Sequence, residues 1–140
     1  MSSGRVISLD IGTVRIGAAV SDPSRIIAQG LGVWQAEGGK WRDDLREAVR
    51  KYEPGIIVAG LPLRTDGRNS EAAERVIAVV GELREEFPGI EFVMWDERFT
   101  TTIAQKAMIE ADASRRKRRK NVDKVAAVLI LEGWLEAQRT

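Results

Sequence analysis

Three acids occupy positions where a carboxylate needs a reason: Asp10 in VISLDIGTVRIGAAVSD, Glu97 in WDERFTT and Asp123 in NVDKVAAVLILEGW. Asp10 closes an apolar, strand-like run, and burying a charge there is costly unless a cation or a ligand offsets it. Glu97, beside Asp96, follows the apolar run IEFVMW. Asp123 falls in the expected first turn of the last helix and shares a face with Ala126, Ala127, Ile130 and Trp134. Carboxylates converging from three elements would repel one another and hold their protons. A divalent cation resolves that, and two ions about 3.5–4 Å apart clamp a phosphodiester for in-line attack by water. The chain contains neither His nor Cys. A metal site must then be built of oxygen ligands, which suits Mg²⁺ or Mn²⁺ rather than Zn²⁺, and nucleophile activation by His or by a thiolate is excluded. Each acid also has an ordinary reading: a turn residue before Gly12, a surface turn, an acid suited to a helix dipole. Their joint order is more telling than any one of them.

The elements that must position these acids follow from periodicity. Runs 5–10 and 14–21 read as strands around Gly12, close enough for a hairpin-like reversal, and a third run, 26–34, is broken by Gly30 and Gly32. Trp41, Leu45, Ala48, Val49 and Tyr52 recur at helical spacing, and the helix should stop before Pro54-Gly55. The short run IIVAG, 56–60, suits a strand buried on both faces. A loop, LPLRTDGRN, leads to a second amphipathic helix over 72–83, and IEFVMW, 90–95, is a fifth strand. A third helix is expected over 103–111, with Thr100 to Thr102 as N-caps, and a fourth after the basic run. A meander followed by βαβ crossovers implies an α/β domain with a mixed sheet covered by helices. Sites in open α/β sheets form beyond the carboxyl ends of parallel strands, so Asp10 and Glu97 should emerge at one edge.

At 140 residues, 44% hydrophobic and 31% charged, the sequence fits a single domain spanning 1–140. No apolar run approaches the roughly 18 residues that cross a bilayer, and the first residues lack a signal-peptide pattern. The lack of cysteine suits a cytoplasm. Net charge is only +1, yet Arg115, Arg116, Lys117, Arg118, Arg119 and Lys120 are consecutive. Such a run is either a solvated loop or a contact for nucleic acid.

The stretches LDIGTVRIGAAVSD, IIVAGLPLRTDG, WDERFTT and NVDKVAAVLILEGWLE, in this order, resemble the YqgF/RuvX family, Holliday-junction-resolvase-like proteins provisionally named pre-16S ribosomal RNA nucleases. The resemblance runs from Leu9 to Glu136. It implies an RNase H-like fold with a five-stranded mixed sheet whose second strand is antiparallel. It also implies that Asp10, Glu97 and Asp123 are the catalytic, metal-binding acids of a Mg²⁺- or Mn²⁺-dependent cytoplasmic endonuclease. The family's substrate would be the 5′ end of precursor 16S ribosomal RNA. Thr13 would donate to a phosphate. Arg98 would pair with an acid or contact the scissile phosphate, and Arg64, Arg68 and the run 115–120 would hold the nucleic-acid backbone. True junction resolvases and RNase H enzymes carry a fourth acid soon after the third, where this chain has Ala126 and Ala127. Two other readings share the fold: a junction resolvase acting on four-way DNA as a symmetric dimer, and a non-catalytic RNA-binding assembly factor. The D-x-G-T motif also opens sugar kinases and actin, which need far longer chains. The protein is expected to work as a monomer or a homodimer.

Overall fold

The first reversal of the chain is made by a glycine that nothing larger could replace. A Cβ on Gly12 would stand 2.7 Å from the Arg15 carbonyl oxygen, to which the Gly12 N–H donates at 3.1 Å. This turn joins β1 (Val6–Ile11) and β2 (Arg15–Ser21) in an antiparallel pair, with Ile11 opposite Ile16. The computed structural model describes residues 4–99 and 115–139, with backbone alone for 99 and 115–124. The remaining elements are β3 (Ala28–Gln35), α1 (Trp41–Tyr52), β4 (Ile56–Leu61), α2 (Glu71–Glu86), β5 (Glu91–Asp96) and α3 (Arg115–Gln138), in that order. The helix expected over 103–111 and its threonine caps lie outside the described residues.

The sheet runs β3-β2-β1-β4-β5. β1 pairs parallel with β4, and β4 parallel with β5, while β2 and β3 are antiparallel additions. Side-chain alternation divides the strands between two cores. Ile7, Leu9 and Ile11 face a cluster with Leu45 of α1 and Val76, Val80 and Leu83 of α2. Val6 and Val58 face Ala127, Ile130, Leu131 and Trp134 of α3. The sheet is therefore covered on both sides, as the doubly apolar β4 anticipates.

Two boundaries differ from the sequence expectation. β3 begins at Ala28, and Ile26 and Ile27 remain exposed. The Asp22 carboxylate captures their backbone N–H groups at 2.7 Å each and also accepts from Ser24, an Asx-type turn that outcompetes strand pairing. Those bonds, led by Ser24, hold the Asp22 carboxyl well below the usual carboxylate range. In β3, Ala18 pairs with Gly32 and Ala19 with Gly30, leaving Leu31 as the extra residue of a bulge. The two glycines thus mark an irregular strand rather than its end. The larger difference concerns α3. It begins at Arg115, so the basic run is helical rather than a loop ahead of the helix, and Asp123 lies about two turns inside it instead of in the first turn. Arg and Lys are good helix formers, which suits the run to a helix.

Candidate active site

Asp10 reaches the site because of its parity along β1. Val6, Ser8 and Asp10 alternate with Ile7, Leu9 and Ile11, so Asp10 projects towards the α3 side of the sheet. Two residues earlier on that face, the fully buried Ser8 hydroxyl donates to the Ala127 carbonyl at 2.6 Å. This bond fixes α3 against β1 one turn beyond position 123. Across the sheet, β5 ends at Asp96, and a single 3-10 turn over Glu97–Phe99 directs Glu97 back over the strand ends.

Asp10 and Glu97 meet. Their side chains share a hydrogen bond, which requires one carboxyl to carry a proton. Glu97 is the protonated partner, its pKa pushed up to about 7 by burial first, then by the charge of Asp10, its hydrogen bond to Asp10, and the charge of Asp96. The strands that deliver these acids are separated by β4, a span of roughly 9.6 Å between backbones. The β4 residue beneath that span is Gly60, and a Cβ there would stand 2.9 Å from the Glu97 Oε1 and 2.6 Å from the Ile130 Cδ1.

The other expected residues divide. Thr13 is exposed at the tip of the β1–β2 turn, at the end of the sheet where Asp10 emerges. Arg98 is committed to Asp96, with Nη2 to Oδ2 at 2.6 Å, and the bond to Arg98 keeps the Asp96 carboxyl below its ordinary range. Arg98 also donates from Nη1 to the Thr65 carbonyl at 3.4 Å, tying the loop after β4 to the turn that carries Glu97. Within that loop, Arg64 and Arg68 are exposed and both face Asp66, at 3.8 and 2.9 Å. The side chains of Asp123 and of Arg115, Arg116, Lys117, Arg118, Arg119 and Lys120 lie outside the described residues. The helical register puts position 123 in line with Ala127, Ile130 and Trp134, of which Ala127 and Ile130 are fully buried. Sequence reasoning missed Ser8 and Gly60. A serine between Ile7 and Leu9 is a faint signal of a polar tether, and a glycine closing an apolar strand reads simply as its stop.

Two carboxylates sharing a proton form a donor set made only of hard oxygen. The chemistry of such a pair fits a hard divalent cation, which would take the place of the shared proton. Among the described residues no group of three or more potential ligands occurs.

The sequence profile of the RuvX family, described as Holliday junction resolvase, matches residues 4–137. The chain belongs to this family. Relatives named "Putative pre-16S rRNA nuclease" include one from Halalkalibacterium halodurans, 44% identical over 138 residues, covering 96% of this chain and 98% of that protein. Another, from Thermoanaerobacter pseudethanolicus, is 41% identical over 137 residues, with the same coverage. Among solved structures, Thermus thermophilus RuvC in complex with a Holliday junction substrate superposes with a TM-score of 0.59 at 15% identity, over 96% of both chains. The yeast mitochondrial Holliday junction resolvase Ydc2 gives 0.56 at 12%, over 99% of this chain and 80% of that one. The fold is RNase H-like, as the family resemblance implied. No helix among the described residues is long and apolar enough to cross a membrane.

Proposed function

We propose that this chain is a divalent-metal-dependent endonuclease that hydrolyses phosphodiester bonds in cytoplasmic RNA, with the 5′ end of precursor 16S ribosomal RNA as its substrate. The observation that carries this reading is the shared-proton pair of Asp10 and Glu97 at the carboxyl edge of the parallel strands. The names of the relatives supply the RNA. Asp10 and Glu97 would hold Mg²⁺ or Mn²⁺, with Asp123 as the third acid. When bound, the ion lowers the pKa of an attacking water and stabilises the leaving oxygen. The chain's own contribution is geometric and electrostatic. β1 and the turn after β5 fix the two carboxylates, and the Ser8–Ala127 bond holds α3 beside them.

Asp96 neutralises Arg98 and leaves Glu97 as the acid aimed into the site. Thr13, Arg64 and Arg68 lie on exposed surface, where they can meet phosphates, as can the run 115–120. Arg98 serves chiefly to brace the loop. Phosphate contacts suit recognition by shape and single-stranded character rather than by base sequence.

The test is cleavage of structured RNA, single-stranded RNA and four-way DNA junctions with Mn²⁺, Mg²⁺ or EDTA, beside Asp10→Asn. RNA cleavage that disappears both in EDTA and in the variant supports the proposal, with an expected loss of at least about 10³-fold, since the carboxylate sits at the ion itself. Symmetric cutting of junctions alone would reassign the substrate to branched DNA. Tight RNA binding without cleavage, indifferent to metal and to Asp10→Asn, would make the protein an assembly factor.

A further inference from the structure

We propose that Gly60 is a positioning residue: its missing side chain is the gap across which Glu97 reaches Asp10. The inference rests on the metal-site reading above and adds to it the element that sets the separation of the ligands. The pairing register makes the argument. Leu9 lies beside Ala59, and Gly60 beside Trp95, so Gly60 occupies the row between Asp10 and the start of the Glu97 turn. Its α3-facing side belongs to the row of Ile56 and Val58, both buried against α3. Any side chain at 60 would project into the same layer. A Cβ would meet the Glu97 Oε1 at 2.9 Å, the Glu97 Cδ at 3.0 Å and the Ile130 Cδ1 at 2.6 Å. No backbone strain is involved, because Gly60 is not among the glycines with positive φ. The constraint is one of space.

The two clashes have different consequences. Ile130 ends in a flexible methyl, while the Glu97 carboxyl is tied to Asp10. An added methyl therefore presses on the packing of α3 and also lifts Glu97 off its partner. The substitution Ile130→Val removes the Cδ1 atom and so relieves the first effect alone.

The experiment compares wild type, Gly60→Ala, Ile130→Val and the double variant by thermal unfolding and by calorimetric titration with Mn²⁺. Gly60→Ala is expected to lower Tm and to weaken Mn²⁺ binding about tenfold, the scale of impaired ligand orientation. The double variant should regain the Tm of Ile130→Val while its Mn²⁺ affinity stays more than threefold below that of Ile130→Val. A crystal structure of the metal-free double variant should show Glu97 beyond hydrogen-bond distance of Asp10. Mn²⁺ affinity in the double variant within threefold of Ile130→Val, or an intact Asp10–Glu97 bond in its crystal structure, would overturn the proposal. If wild type takes up no Mn²⁺, the metal-site reading fails by itself, and the crystal structure still decides the role of Gly60.

Discussion

Glu97 keeps its proton to about pH 7 against an ordinary value of 4.5, and this makes stability depend on pH in a definite direction. Between those values the native state holds a proton that the unfolded chain has released. Stability of the metal-free protein is therefore undiminished by this group below pH 4.5, falls as pH rises, and carries the full penalty above pH 7. Water reaches the half-buried pair and moderates the effect, so Glu97→Gln should stabilise the metal-free protein by about 1–3 kcal/mol at pH 8. It should leave stability unchanged at pH 4. Urea unfolding at pH 4, 6 and 8 measures this, and a variant that tracks wild type at all three would contradict the shared proton. Saturating Mn²⁺ should erase the variant's advantage, because the ion then occupies the place of the proton. The placement of Asp10 near the end of β1 was legible in the sequence, where it closes an apolar run. Its hydrogen bond to Glu97 was not, since 86 intervening residues and a strand crossover separate the two.

α3 is the element on which sequence and structure differ most. Six adjacent cations read as a solvated loop ahead of the helix or as a contact for nucleic acid. The helix instead runs unbroken from Arg115 to Gln138. Its packed portion was legible from Val125 to Leu131, whose apolar residues leave little choice but a core-facing helix. What holds it in place was not, because the decisive contact is one hydroxyl on another element. Removing that hydroxyl with Ser8→Ala takes from the Ala127 carbonyl the donor it has beyond its helical partner and should cost about 0.5–1.5 kcal/mol, read from urea unfolding. A Ser8→Ala protein as stable as wild type would show that apolar packing alone seats the helix.

For the molecule as a whole, net charge is +1, so long-range attraction to nucleic acid depends on where the cations lie rather than on how many there are. Replacing the run 115–120 with glutamines, which preserve helix propensity, should weaken RNA binding and flatten its salt dependence. The slope of log K against log salt should fall by roughly 0.7 for each single-strand phosphate that the run no longer neutralises. Filter binding between 50 and 200 mM salt reads this, and an unchanged slope would remove the run from the interface. The mixed character of the sheet was legible at this scale, from three strands without helices followed by helix-linked strands, whereas the pairing of β4 with β1 rather than with β3, to which α1 links it, was not.

The face that each strand residue presents is set by odd or even count from its neighbours, and β1, β4 and β5 are locked to one another by direct pairing. Deleting a single residue inside any of them would exchange its two faces, moving Leu9 or Ile11 to the place of the acid, or Ala59 or Leu61 to the place of the glycine. Variation in length among related chains should therefore collect in the connections, such as 62–69, and stay out of these three strands. A family alignment that keeps their lengths constant while the joints drift would be the evolutionary imprint of that arithmetic.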